Sequence, residues 1–432
     1  MSVERETPTI LRLCFVVLEG HKLHIAPSLS KSTSGTGLHS FLTVCTRCNL
    51  VQTVRNLRER RLRRGGAREG GAEEWEMARR EREILSGGCE TASVGVFERF
   101  IAGLPKVELH VHHVGSVPLR AVAELAARHP GTVPSDLDQL ARFFVFEDFP
   151  HFIRNYLAVV DLIKTAEDVR LITYEVAADL AAQNIRYAEL TVTPYISISD
   201  DLPAEAFLEA IEDARQATHR DHGLQLWWIF DIPADFGIPA AELTASVALD
   251  HQVPGLVGFG LGGSERGFPR SMFRDQFNRA RAAGLRSVPH AGETTGPESV
   301  WDALISLGAE RIEHGIASVA DPRLMQHLVE HQIALDICLT SNIALRVVPD
   351  LDHHPIRKLI AAGVTVTINT DDPPMVGTDL NTEYALAARL LELDEHGITE
   401  VALAAVEASF ASPETKATLR SEISSYAAMS AP

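Results

Sequence analysis

From about residue 96 onward, short runs of β-branched and apolar residues alternate with longer runs rich in alanine, leucine and glutamate. The short runs are typical of buried parallel strands and the longer runs of amphipathic helices. Eight alternations favour a closed (β/α)8 TIM barrel over an open sheet, although periodicity alone does not distinguish the two. The predicted strands are 107–112, 185–192, 226–232, 256–262, 286–291, 312–315, 334–339 and 365–369. The predicted helices include 121–128, 166–183, 204–219 and 273–283.

The first 95 residues show no such alternation. They contain a Ser/Thr/Gly run at 28–37 and an arginine-rich stretch at 55–68. We interpret residues 1–95 as an N-terminal extension and residues 96–432 as the barrel domain. The extension is expected to be either poorly ordered or the product of a start assigned too far upstream, since Met77 is an internal candidate start.

The net charge of −18 is unevenly distributed. Residues 1–95 hold 15 Lys/Arg and 11 Asp/Glu, which leaves 25 basic and 47 acidic residues in the remainder. The excess of acidic residues after residue 95 argues against nucleic acid as a partner and suits a small substrate. The sequence has no long uncharged apolar run of the kind that predicts a transmembrane helix. The odd count of 5 cysteines does not suggest a disulfide framework. These features predict a cytoplasmic protein without a membrane partner, and they leave a homo-oligomer open.

Metal-ligand residue types stand at the carboxyl ends of four predicted strands. In a barrel of this class the active site lies at those ends. His110 and His112 alternate on the first strand and therefore point the same way. His290 ends the fifth strand, His314 lies on the sixth, and Asp371-Asp372 follow the eighth. Imidazole nitrogen and carboxylate oxygen together suit zinc.

Each of these residues also has a purely structural interpretation. A single interior histidine is more often a hydrogen-bonded core residue than a ligand. Asp371-Asp372 before two prolines can form a turn or a helix cap. Because the four positions all fall at the same end of the predicted barrel, a shared metal site is favoured over coincidence.

The same segments resemble the adenosine deaminase family, a branch of the amidohydrolase superfamily, over roughly residues 97–425. The matching text reads Val-Glu-Leu-His-Val-His at 107–112, Gly-Gly-Ser-Glu at 262–265, His-Ala-Gly-Glu at 290–293, Arg-Ile-Glu-His-Gly at 311–315 and Asn-Thr-Asp-Asp-Pro at 369–373. Cys338 and the Ser341-Asn342 pair also stand at familiar positions. The resemblance implies hydrolytic deamination at C6 of an adenine nucleoside, with water as co-substrate.

The resemblance also implies roles for individual residues. One zinc per chain would be held by a set of four: His110, His112, His290 and Asp371. Glu293 would protonate N1 of the purine, and His314 would orient the attacking hydroxide, with Asp371 able to accept its proton. Asp372 would hydrogen-bond N7 and the Gly263 amide would meet N3. The fourth predicted strand holds no lysine to bridge two metals, which favours a single ion.

One departure from the family pattern concerns the substrate's 5′ end. Family members acting on adenosine have an acidic residue at the position of Val114, where it binds the ribose 5′-hydroxyl, and valine cannot accept that hydrogen bond. The variant resembles the aminodeoxyfutalosine deaminases of bacterial menaquinone biosynthesis, whose substrate carries a 5′ carboxyphenyl ketone. His113 is expected either to contribute to the 5′ site or to pack. Candidate walls for that site are Phe143, Phe144, Phe146, Phe149, Phe152 and Tyr156, with Arg154 nearby, although aromatics at this spacing also pack lid helices.

Two other functions stay open at this point. One is an adenosine or methylthioadenosine deaminase with a relaxed 5′ pocket. The other is a non-catalytic nucleoside-binding barrel, which usually lacks a ligand or the acid, whereas this sequence retains all four ligand positions and Glu293.

Overall fold

A computed structural model describes residues 16–19, 22–25, 92–147 and 149–430. The chain divides into two compact units, Met1–Gly70 and Gly71–Pro432. In the first, strands β1 (Val16–Glu19) and β2 (Lys22–Ile25) form an antiparallel pair. The predicted extension at 1–95 falls largely outside the described residues, and both its boundary and its expected disorder stay predictions. None of the described helices is long and apolar enough to cross a membrane.

The second unit contains eight parallel strands whose spatial order follows the chain, which confirms the predicted barrel. The barrel strands are β3 (Lys106–His112), β4 (Ile185–Val192), β5 (Gln225–Pro233), β6 (Leu256–Gly262), β7 (Arg286–Ala291), β8 (Arg311–His314), β9 (Ala334–Ile337) and β10 (Val366–Ile368). Each predicted strand overlaps one of these, and the bounds differ by two residues at most. The largest difference is at Leu339, which starts a helix instead of ending a strand.

The last strand meets the first at a short seam. Val111 and Asp371 form an isolated parallel bridge across it. The His112 amide donates to the Asp371 carbonyl, and the Asp371 amide donates to the His110 carbonyl, each at 2.9 Å. The seam therefore consists of the same residues that carry predicted metal ligands.

Helices connect and surround the strands. Their bounds are α1 (Ala92–Gly103), α2 (Leu119–Arg128), α3 (Leu137–Phe143), α4 (Phe149–Val160), α5 (Ala166–Ala182), α6 (Pro194–Ser197), α7 (Ala204–His222), α8 (Gly237–Asp250), α9 (Arg274–Ala282), α10 (Pro297–Asp302), α11 (Pro322–Glu330), α12 (Leu339–Ala344), α13 (Ile356–Ala361), α14 (Pro373–Val376), α15 (Leu380–Leu391), α16 (Glu395–Ala408) and α17 (Pro413–Ser430). Short 3-10 turns lie at Ala234–Phe236, Arg270–Phe273, Ile316–Ala320 and Leu351–His353, and a π-helical turn at Ala303–Leu307.

Polar side chains as well as apolar ones fill the barrel interior. Arg311 is buried, and its guanidinium lies 2.7 Å from Glu189 and 2.5 Å from Asp336. It also donates to the Leu109 carbonyl at 3.1 Å. Because a buried charge is tolerated only when it is paired and hydrogen-bonded, this cluster ties β3, β4, β8 and β9 together.

Candidate active site

Five metal-ligand side chains meet at the carboxyl end of the barrel. Ligand atoms of His110, His290, His314 and Asp371 all lie within 4.8 Å of one another. His112 joins them, since its Nε2 lies 3.2 Å from His290 Nε2 and 3.3 Å from Asp371 Oδ1. The strand-end reasoning from the sequence therefore placed all five histidine and aspartate side chains in one cluster.

Two of these residues have unusual backbone conformations. His314 has φ of 63° and Asp371 has φ of 68°, in the left-handed region that non-glycine residues seldom adopt. Such strain persists only where surrounding structure enforces it, and it concentrates at functional sites. At Asp371 the enforcing contacts are the two seam hydrogen bonds, which hold its carboxylate towards the imidazoles.

Contacts on the far side of two rings fix which nitrogen faces the cluster. His290 Nδ1 lies 3.1 Å from the Leu261 carbonyl and 2.6 Å from Glu313 Oε2, both of which can only accept. His110 Nδ1 lies 3.4 Å from the Asp336 carbonyl. In both rings Nδ1 therefore carries the proton, and Nε2 presents a lone pair to the cluster.

The donor atoms fit a metal ion. His110 Nε2 is buried and has no hydrogen-bond partner among the residues that the structure describes. Two atoms that bind one tetrahedral zinc at about 2.0–2.1 Å are about 3.3 Å apart. The separations from His112 to His290 and Asp371 have that size, as does the 3.4 Å between His110 Nε2 and Asp371 Oδ1. Two unprotonated nitrogens as close as those of His112 and His290 repel one another unless a cation or a shared proton lies between them.

Carboxyl groups beside the cluster differ in ionisation. Burial opposes ionisation of Asp371, but the adjacent His110 and His112 imidazoles hold its pKa well below the usual range. Burial and the neighbouring Asp371 carboxylate raise the pKa of Glu293 well above its usual value. The same two causes raise the pKa of Asp372 to about 7. The site thus places one ionised carboxylate beside two carboxyl groups that can carry protons near neutral pH.

A cavity opens above the cluster. His112, His290, His314, Glu293, Asp371, Asp372 and Gly263 all line it, so the structure brings together all but three of the predicted site residues there. Glu293 Oε1 and Asp372 Oδ1 are buried, and neither has a hydrogen-bond partner in the described part of the chain. Gly115 makes room for the second of these, because a Cβ at that position would overlap the Asp372 carboxylate. Unpartnered carboxyl oxygens facing a cavity are suited to bind a polar ligand.

His110 does not line this cavity, although it belongs to the cluster, and neither do His113 and Val114. His113 is buried, and its Nε2 lies 2.7 Å from Thr173 Oγ1 on α5. Burial lowers the pKa of His113 to about 4, so this ring is neutral. Of the two expectations for His113, this placement favours packing over a substrate role. Val114 is buried at 3% exposure.

The outer wall of the cavity is apolar. Side chains from α4, from α6, from the 3-10 turn after β5 and from the end of α12 line it: Phe152, Ile153, Tyr156, Leu157, Ile196, Phe236 and Leu345. Of the predicted aromatic wall, Phe152 and Tyr156 reach the cavity, whereas Phe146 packs behind Phe152 with ring centroids 5.2 Å apart. Phe143 and Phe144 belong to the same aromatic cluster. Arg154 is exposed outside the cavity lining, and the Phe149 side chain lies outside the described residues.

The sequence analysis did not assign Asp231 or Thr193, which also line the cavity. Thr193 Oγ1 donates to Asp231 Oδ1 at 2.5 Å. The available signal was the position of Asp231 near the end of the third predicted strand. The third predicted strand ends without a histidine, so the pattern of metal-ligand residues at strand ends did not identify Asp231.

Glu265 ends the Gly-Gly-Ser-Glu motif at 262–265, and the sequence predicted no role for it. Its carboxylate is buried and accepts from the backbone amides of Gly292, Glu293 and Thr294 at 2.6–2.9 Å. It also accepts from the hydroxyls of Thr295 and Ser299. These contacts fix the loop after β7, and hence the position of Glu293.

Comparison with known proteins agrees with this geometry. The sequence profile of the adenosine deaminase family matches residues 105–426. The chain belongs to the adenosine deaminase family. Among its relatives, the aminodeoxyfutalosine deaminase of Streptomyces avermitilis is 59% identical over 332 residues, which is 76% of this chain and 93% of that protein. The adenosine deaminase of Yersinia pseudotuberculosis is 35% identical over 326 residues, which is 74% of this chain and 97% of that protein.

A solved structure in the same superfamily contains the metal. An amidohydrolase from Burkholderia ambifaria with bound zinc matches with a TM-score of 0.72 and 25% identity, covering 80% of this chain and 95% of that one. This family member is therefore a deaminase-type barrel, and its described residues contain a single His/Asp metal site.

Proposed function

We propose that the chain deaminates C6 of an adenine nucleoside hydrolytically, and that its substrate is aminodeoxyfutalosine. The observation that carries the reaction class is the convergence of a protonated carboxyl group, Glu293, with the imidazole–Asp371 cluster on one cavity. The 59% identity to an aminodeoxyfutalosine deaminase, against 35% to an adenosine deaminase, supports the substrate.

The proposed metal is one zinc per chain, and its ligands are His110, His112, His290 and Asp371. Support comes from the separations of 3.2–3.4 Å that join His112 to His290 and Asp371, and His110 to Asp371. When bound, zinc supplies hydroxide at neutral pH by lowering the pKa of water from about 15.7 towards about 7. His314 belongs to the same cluster, and we assign it to hydrogen bonding instead of ligation.

The side chains around the purine have complementary tasks. C6 is a poor electrophile while the ring is aromatic, and proton donation from Glu293 to N1 lets it accept the incoming oxygen. N7 is an acceptor, so Asp372 can bind it only when protonated, which its raised pKa of about 7 permits. The Gly263 amide is the proposed donor to N3. Asp371 accepts the proton of the attacking oxygen and passes it to the 6-amino nitrogen, which then leaves C6 as ammonia.

The outer wall favours an apolar 5′ group. Phe152, Tyr156 and Phe236 offer ring faces where the nucleoside's 5′ end would leave the cluster. Among the described residues, no lysine or arginine lines this cavity, so the carboxylate of a carboxyphenyl group would point to solvent. Valine at position 114 offers no acceptor for a 5′-hydroxyl.

A substrate panel tests the proposal. Purified zinc-loaded enzyme is assayed with aminodeoxyfutalosine, adenosine and methylthioadenosine by the loss of adenine absorbance. We expect kcat/KM for aminodeoxyfutalosine to exceed that for adenosine by at least about tenfold, which corresponds to about 1.4 kcal/mol. Equal or better turnover of adenosine or methylthioadenosine would replace the substrate assignment. Binding without turnover of any of them would favour the non-catalytic barrel.

The assembly of this protein is a separate proposal. The proposed assembly is a homo-oligomer of identical chains. Sedimentation or light scattering of the full chain would decide it.

A further inference from the structure

A buried chain of hydrogen bonds runs away from the reactive cluster behind His314. His314 Nδ1 lies 3.2 Å from Asn342 Nδ2 on α12. Asn342 Oδ1 lies 3.1 Å from His354 Nε2. His354 Nδ1 in turn accepts from the Ile356 backbone amide at 3.3 Å, where α13 begins. His314, Asn342 and His354 are exposed by 1%, 0% and 4%, so water does not compete for these bonds.

The donor and acceptor of every hydrogen bond in this series follow from the last one, between the Ile356 amide and His354 Nδ1. A backbone N–H can only donate, so Ile356 occupies His354 Nδ1 as an acceptor. A neutral imidazole has one acceptor nitrogen, and burial keeps this ring neutral by lowering the pKa of His354 to about 4. His354 Nε2 therefore carries the proton and donates to Asn342 Oδ1. The opposite orientation of the amide would require His354 to accept at both nitrogens, which a neutral ring cannot do.

The orientation of the Asn342 amide in turn fixes which nitrogen of His314 carries the proton. With its oxygen committed to His354, the Asn342 amide presents N–H to His314 Nδ1, which must accept. The remaining ring proton of neutral His314 is then on Nε2. That nitrogen faces Glu293 Oε1 at 3.6 Å and Asp371 Oδ2 at 3.8 Å.

We propose that Asn342 and His354 are positioning residues that hold His314 in the tautomer protonated on Nε2, so that His314 donates a hydrogen bond into the cavity. His110 and His290 have the opposite arrangement, because each donates from Nδ1 to an acceptor. The three buried rings thus divide into two that offer a lone pair and one that offers a proton. The consequence for the reaction, donation from His314 to the attacking oxygen, rests on the proposed function, whereas the tautomer does not.

Neutron diffraction tests the tautomer directly. Crystals of the full zinc-loaded chain are exchanged into D2O, and nuclear density is examined at the two rings. We expect deuterium on Nε2 of both His314 and His354 and none on either Nδ1. Deuterium on His314 Nδ1 would overturn the proposal even if the enzyme deaminates its substrate. Deuterium on Nε2 in a chain that deaminates no nucleoside would support the hydrogen-bond chain and reject the function.

Variants test the catalytic consequence. Asn342→Leu removes the amide at similar volume, and we expect kcat to fall about 100-fold, the cost of losing one oriented donor. KM should change less than about threefold, and zinc content should stay at one per chain, since the change acts on the reacting state. A kcat within about fivefold of wild type would contradict the proposal.

A pair of substitutions at His354 separates positioning from packing. Gln can donate to Asn342 Oδ1, so His354→Gln should retain kcat within about fivefold, whereas His354→Leu should lose about as much as Asn342→Leu. The neighbouring His353 is 69% exposed on its side chain, and His353→Gln is the matched control. Equal losses in His354→Gln and His354→Leu would indicate a packing role only and overturn the proposal.

Discussion

Glu293 carries the proton-transfer chemistry on which the proposed reaction depends. It is buried, its Oε1 has no hydrogen-bond partner among the described residues, and its raised pKa favours the protonated form. Glu293→Gln keeps the shape but cannot release a proton, so kcat should fall by about 10²–10⁴ while bound zinc is unchanged. Steady-state kinetics and metal analysis measure both quantities. Glu298→Gln, an exposed change on α10, is the control, and a Glu293→Gln enzyme within tenfold of wild type would remove Glu293 as the acid.

We propose that Val114 contributes to the choice of 5′ substituent. Val114→Asp supplies an acceptor for a 5′-hydroxyl, and a well-made hydrogen bond of this kind is worth about 1–3 kcal/mol. We therefore expect the ratio of kcat/KM for adenosine to that for aminodeoxyfutalosine to rise by at least about fivefold. Because Val114 is buried, thermal unfolding should accompany the assay to show that the variant is folded. An unchanged ratio in a folded variant would remove Val114 from substrate selection.

At the scale of elements, the loop after β7 depends on a side chain from the loop after β6. Glu265 accepts hydrogen bonds from three backbone amides of that loop. Burial raises its pKa, but hydrogen bonds from the Ser299 hydroxyl, the loop amides and the Thr295 hydroxyl outweigh this and lower the pKa to about 2. Since the folded-state pKa lies below the usual 4.5, ionised Glu265 stabilises the fold above about pH 4.5 and loses this effect as the pH falls towards 2. The full contribution is about 3 kcal/mol at neutral pH.

Glu265→Gln should therefore lower the free energy of unfolding by about 1–3 kcal/mol at pH 7, because one set of donors loses its acceptor. The difference from wild type should shrink to roughly half by pH 3, where wild-type Glu265 begins to protonate. Urea denaturation at several pH values measures it, with exposed Glu298→Gln as the matched substitution. A difference that does not depend on pH would show that the carboxylate charge is not the source of the stabilisation.

The strand-end pattern and the family motifs predicted the barrel and the cluster because both depend on local sequence periodicity. His110, His112 and Asp371 follow from where strands end, and parallel strands bring those ends together. The contacts of Glu265 and the Asn342–His354 chain were not predictable this way. They depend on loops and helix starts whose conformations are set by tertiary contacts instead of by hydrophobic period. His113 shows the same limit, since only the position of Thr173 on α5 separates packing from substrate binding.

At the scale of the whole molecule, the metal site and the closure of the barrel are one feature. The seam between β3 and β10 has a single bridge, Val111 to Asp371, and the hydrogen bonds around it involve His110 and His112. The proposed zinc joins ligands from both sides of that seam and from β7. Ligands so far apart in sequence are brought together only by folding, so the metal binds the folded state selectively and stabilises it.

Removal of zinc by a chelator should therefore abolish activity and also loosen the seam. At free zinc about 1,000 times Kd, bound metal contributes about 4 kcal/mol of stability, which calorimetry would detect as a lower Tm in the apo protein. Amide exchange should accelerate at His112 and Asp371, whose amides make the seam bonds, while exchange in the central strand Gln225–Pro233 changes little. Restoring zinc should reverse all three effects. Loss of zinc and activity with unchanged Tm and unchanged seam exchange would show that the barrel closes without help from the metal.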